Sequence, residues 1–145
     1  TIYRHFPDER SLFTACTGHY FAANPPPASA PWRAIADPET RLRTALGELY
    51  AYYRRTEGML ARSEQEAPAN PVLAEVLAPY AAIWAEMRDI LTEGWASSPE
   101  PNPLLPAAIG HALAFSTWRS LVREQALDDD QVIDLMLAMV GCLPH

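Results

Sequence analysis

Three times along the chain an acceptor side chain is followed at once by proline and then by a helix-spaced apolar run: Asp37-Pro38, Asn70-Pro71 and Asn102-Pro103. Proline loses nothing at the first helical position, where its missing N–H would have had no intrahelical partner. Asp or Asn just before it can accept from the orphan amides of the first turn. Two further starts lack the proline. Asp8 precedes Glu9, Arg10, Leu12, Phe13, Cys16 and Tyr20, a run that Asn24-Pro25-Pro26-Pro27 must end, and Asp128 precedes Gln131 with capping-box spacing. Asp129 and Asp130 then put negative charge at a positive helix end. Five helix starts, and no segment of alternating polarity, predict an all-α chain.

The stretch after Asp37 places Leu42, Leu46, Leu49, Tyr53 and Leu60 on one stripe and Ala45, Tyr52 and Met59 on the next. So wide an apolar arc calls for burial against more than one neighbour. Pro79 is expected to divide the following stretch into a short piece and a longer one carrying Tyr80, Ile83, Trp84, Met87, Ile90, Leu91 and Trp95. Residues 96–101 read as a loop. Residues 104–118 contain no acid or arginine and read as one buried helix, too short and too interrupted by Pro106, Gly110 and His111 to cross a bilayer. A 145-residue chain that is 49% hydrophobic and 20% charged can bury an ordinary core and is no disordered tail. Its net charge of −7 argues against a general nucleic-acid or membrane surface. Cys16 and Cys142 lie near opposite ends without metal-ligand spacing, so neither a zinc knuckle nor a disulfide framework is encoded, and a reducing cytoplasm fits.

The opening residues, Thr1-Ile2-Tyr3-Arg4-His5-Phe6-Pro7-Asp8-Glu9-Arg10-Ser11-Leu12-Phe13, carry a family pattern. They resemble the end of the DNA-binding region of the tetracycline-repressor (TetR) family, where threonine, an aliphatic residue, tyrosine, histidine and phenylalanine recur at these spacings. Residues 112–121, running from Ala112 through Trp118 to Leu121, are similar to the penultimate helix of many members, and the helix order between agrees. The resemblance implies a TetR-like helical bundle with three parts. Residues 1–22 would be the remnant of a helix-turn-helix domain whose earlier helices precede Thr1, residues 23–36 a Pro/Ala-rich linker containing Trp32, and residues 37–145 a ligand-binding and dimerisation domain. It further implies that Thr1, Tyr3, Arg4 and His5 touch operator DNA, with Phe6 in the core. Glu9 stands where the family usually carries a phosphate-gripping lysine, so either Arg10 substitutes or that contact is absent.

Catalytic signals are sparse. His111 lies near Ser116 and Thr117 but has no orienting acid on its helix before Glu124, there is no glycine-rich phosphate loop, and the 128–130 acidic triplet reads as capping rather than as a metal site. No enzyme, cofactor or metal is expected. Aromatic and thioether side chains from several helices, Tyr53, Met59, Trp84, Met87, Phe115 and Trp118, are instead expected to wall a site for a hydrophobic or aromatic effector, with His111 or Arg119 as polar anchor. Apolar character on every face of the last two helices suggests a two-fold homodimer through Leu113, Leu121, Val132, Met136, Met139 and Val140. The expected function is a cytoplasmic, ligand-responsive transcriptional regulator, a repressor. The alternatives are a small all-α enzyme or a partner-binding helical module acting on a hydrophobic ligand.

Overall fold

The computed structural model describes residues 7–95 and 100–144. Among them every regular element is helical: α1 (Glu9–Ala23), α2 (Pro38–Glu66), α3 (Pro71–Thr92), α4 (Leu104–Leu113), α5 (Phe115–Arg123) and α6 (Asp129–Gly141), with short 3₁₀ turns at Ala30–Ala34 and Ala67–Ala69. The all-α expectation holds. The acceptors bond amides at the helix starts, although α4 begins at Leu104 with Pro103 as its N-cap residue, one place later than Asn102-Pro103 predicts. Asp8 Oδ1 accepts from Ser11 N at 2.7 Å, Asp37 from Thr40 N at 2.8 Å, Asn70 from Leu73 N at 3.2 Å and Asn102 from Leu104 N at 3.0 Å. Asp128 and Gln131 close a reciprocal capping box at the head of α6.

The chain divides into two compact units, one made of Thr1–Pro26 with Thr56–Ile83 and the other of Pro27–Arg55 with Trp84–His145. In the first, Phe21 of α1 stacks on Tyr80 of α3 with ring centroids 4.0 Å apart, and Arg10 pairs with Glu75 at 2.5 Å. Thr17, Thr56 and Leu73 are buried there.

The second unit holds the larger core. Leu42, Leu46, Leu49, Tyr50 and Tyr53 of α2, Met87, Ile90 and Leu91 of α3, Ile109 of α4, Trp118 of α5 and Val132 and Val140 of α6 are all fully covered in it. Helices α4, α5 and α6 pack on one another. Arg41, in the first turn of α2, is buried and donates to the carbonyls of Ile35 (2.9 Å), Ala36 (3.4 Å), Ile90 (3.4 Å) and Glu93 (2.8 Å). A guanidinium with five donors satisfies the last carbonyls of α3 and the segment entering α2 together.

Three expectations are corrected. Pro79 does not divide its stretch, because α3 runs unbroken from Pro71 to Thr92 with Pro79 exposed inside it. Proline removes a single helix bond, and the apolar contacts of α3 on both sides of it outweigh that loss. Trp32, which the sequence places in a linker, is packed into the fold. The Ala30–Ala34 turn folds it inward to 1% exposure, and its indole N–H donates to Glu48 at 3.0 Å. Finally, residues 104–118 are not one helix. The chain breaks at Ala114, whose φ of −68° and ψ of 132° are extended, and resumes as α5.

Candidate functional site

Of the residues expected at DNA, Thr1, Tyr3, Arg4 and His5 lie outside the described residues, as does Phe6. The two that follow them are already engaged. Glu9 accepts from the Asn70 side chain at 3.3 Å, and Arg10 holds its ion pair with Glu75. Both contacts join α1 to the start of α3 within the first unit.

Four of the seven expected effector residues, Tyr53, Trp84, Phe115 and Trp118, meet in the second unit around Tyr53, and Met87 lies buried in the same unit. Its ring lies 5.3 Å from Phe115, edge-on at 75°, and 5.9 Å from Trp118, while Phe115 and Trp118 are 5.8 Å apart. Trp84 donates its indole N–H to the Tyr53 hydroxyl at 2.6 Å, and Met87 is fully buried. The Tyr53 hydroxyl in turn donates to the Leu113 carbonyl, and the Tyr50 hydroxyl donates to the Ala112 carbonyl at 2.8 Å. Burial, and then the negative charge of Asp129, push the Tyr50 phenol well above its ordinary range, so it stays a donor. Met59 belongs to the first unit and is half-buried. The polar groups of this junction are thus turned toward the protein's own atoms.

Trp118 extends the junction outward. Its indole N–H donates to Asp129 at 3.0 Å, the Arg54 guanidinium sits 5.5 Å over its ring, and Arg54 also grips Asp129 through two bonds, of 2.6 and 3.1 Å. Burial alone raises the carboxyl pKa of Asp129, but the hydrogen bonds from Arg54 and Trp118, and the charges of Arg54 and Arg123, outweigh it and hold the group below the ordinary carboxylate value. The acidic triplet is therefore occupied by a cap and an ion pair. No group of three or more metal-ligating side chains occurs among the described residues.

His111 lies elsewhere, at the mouth of an open groove of about 380 Å³ that it lines with Thr117, Ser120, Leu121, Leu135, Met136 and Met139. Its Nδ1 is 3.1 Å from the Thr117 hydroxyl. The lining of the groove combines three polar side chains with two leucines and two methionines, and Leu135 is 44% exposed. Of the expected dimer residues, Leu121, Met136 and Met139 line this groove. Leu113, Val132 and Val140 face inward and are covered by the chain itself. Sequence reasoning missed Leu135 and Ser120, while Thr117 was noted only as a hydroxyl near His111. The signal was there for the first, since Leu135 and Met139 share a helix face at i, i+4 and flank the stripe through Val132, Met136 and Val140. Cys16 and Cys142 are exposed thiols, and no described helix is long and apolar enough to cross a membrane. Set beside known proteins, the chain matches no family model, no curated protein and no solved structure.

Proposed function

We propose that this chain is the effector-sensing and dimerising part of a TetR-like transcriptional regulator, a repressor that a hydrophobic or aromatic small molecule releases from operator DNA. The observation that carries the reading is the outward apolar wall of the last two helices, where Leu121, Leu135 and Met139 surround an open groove. A second copy related by a two-fold axis offers the same patch in return, and helix pairs of this kind bury methionine and leucine against each other. The family pattern in residues 1–13 and the order of the helices support the DNA-binding half of the proposal. Release follows from linkage: an effector that favours a conformer with the recognition helices misplaced lowers operator affinity by its differential affinity for the two states. The junction of Tyr53, Trp84, Met87, Phe115 and Trp118 is the proposed point of action, because it touches α2, α3 and α5 at once.

Two measurements test this. The chain should sediment as a dimer at micromolar concentration, and the protein, joined to a helix-turn-helix ahead of Thr1, should bind palindromic DNA with half-sites about 34 to 36 Å, or a multiple, apart. A hydrophobic compound that raises the melting temperature should also lower that DNA affinity. A monomer that binds no palindromic DNA sinks the proposal. A second reading, an enzyme acting on a hydrophobic substrate, has one observation in its favour, the His111 and Thr117 pair in the groove. Hydrolysis of a p-nitrophenyl ester that Thr117→Val abolishes would favour it.

A further inference from the structure

Nothing local explains why the helix breaks at Ala114. The residues around it, Ala112, Leu113, Ala114 and Phe115, include neither glycine nor proline, and alanine is the strongest helix former. The same chain carries Pro79 through α3 and Gly110 through α4 without interruption. A helix broken where its sequence favours continuity, and continuous where its sequence favours a break, is a conflict between local and global preference.

The cause is tertiary. In a continuous helix the carbonyls of Ala112 and Leu113 would accept from the amides of Ser116 and Thr117. Here those carbonyls accept instead from the Tyr50 and Tyr53 hydroxyls of α2, some sixty residues earlier in the chain. The Ala114 amide turns back to the His111 carbonyl at 3.2 Å, and the Ala114 carbonyl starts α5 by accepting from Trp118 N at 3.2 Å. Two backbone amide donors have been exchanged for two phenol donors on the same carbonyls. Healing the helix would turn the ψ of Ala114 from 132° to about −42° and swing α5 as a body relative to α4.

The break also builds the groove. In a continuous helix, residues six apart lie about 240° around the axis from each other and about 9 Å along it. His111 and Thr117 would then sit on different faces. Across the break they are 3.1 Å apart and line one wall. We propose that the Ala114 break is a two-state hinge: the broken form, clamped by the Tyr50 and Tyr53 hydroxyls, creates the His111–Thr117 wall of the groove, and the healed form dismantles it. Whatever occupies the groove through that wall binds only the broken form and, by linkage, stabilises it. This holds whether the occupant is a second copy of the chain or a small molecule, so a failure of the dimer reading leaves it standing.

Hydrogen exchange on the Tyr50→Phe/Tyr53→Phe double variant tests the hinge. With the phenol donors gone, the Ser116 and Thr117 amides become intrahelical donors, and their exchange slows at least tenfold relative to the wild type. Unchanged or faster exchange at these two amides in a folded double variant overturns the proposal. Should the double variant fail to fold, relaxation dispersion on the wild type decides. Exchange broadening confined to residues 111–120 and removed by Ser116→Pro, which is tolerated in the first turn of α5 but forbids the healed helix, supports the hinge. Flat profiles across those residues in the wild type overturn it.

Discussion

Asp129 joins three helices through two side chains, Arg54 of α2 and Trp118 of α5, and its depressed pKa makes that junction pH-dependent. A carboxylate whose folded pKa lies below its unfolded value contributes stability above about pH 4, and that contribution is lost as the pH falls through the folded value. Because Arg54 is 46% exposed, solvent screens the pair, and Asp129→Asn should cost only about 1 kcal/mol at pH 7. Urea titrations at pH 7 and pH 3 should show the variant losing less stability than the wild type between the two. Trp32 contributes on a different scale. It is closed off from solvent and its indole N–H is engaged by Glu48, so Trp32→Ala should cost about 3 kcal/mol or more by chemical denaturation. A loss below about 1 kcal/mol would place the side chain outside the core.

The helix starts were legible because each is a conversation within three or four residues: Asp8 with Ser11, Asp37 with Thr40, Asp128 with Gln131. The break at Ala114 was not, since its cause lies with Tyr50 and Tyr53 in another helix and leaves no trace in the sequence around it. Trp32 shows a similar limit. A proline-rich stretch carries no periodicity from which an inward-facing ring can be read. Pro79 was misjudged for the opposite reason, a strong local signal overruled by the apolar contacts of α3. Its exposure makes it a clean test of element stability. Pro79→Ala restores one helix bond and relieves the ring, and should raise the unfolding free energy by up to about 3 kcal/mol, measured as a higher urea midpoint. A lower midpoint would show that the proline shapes α3 in a way its neighbours require.

For the whole molecule, the dimer proposed above would form through the last two helices. The membership of the core was readable from apolar spacing, but which apolar face stays outside was not. Val132 and Val140 turned inward while Leu135 stayed out, a choice made by the packing of α6 on α4 and α5. Leu135→Glu and Met139→Glu alter exposed or half-buried positions, so the monomer should fold with a near-wild-type melting temperature. Both should shift sedimentation from dimer to monomer, because an interface of the standard ~1,200 to 2,000 Å² cannot bury two unpaired carboxylates at its centre. Variants that stay dimeric would move the contact off this face.

Arg41 draws the carbonyls at the end of α3 and those of Ile35 and Ala36 around its guanidinium, through acceptors that are all backbone oxygens. The head of α6, by contrast, is tied down by a carboxylate. Acid should therefore undo the second unit in a fixed order: α6 comes loose while the end of α3 still holds. In a pH series of hydrogen exchange, the amides of Asp130 to Met136 should lose protection at a higher pH than those of Met87 to Leu91.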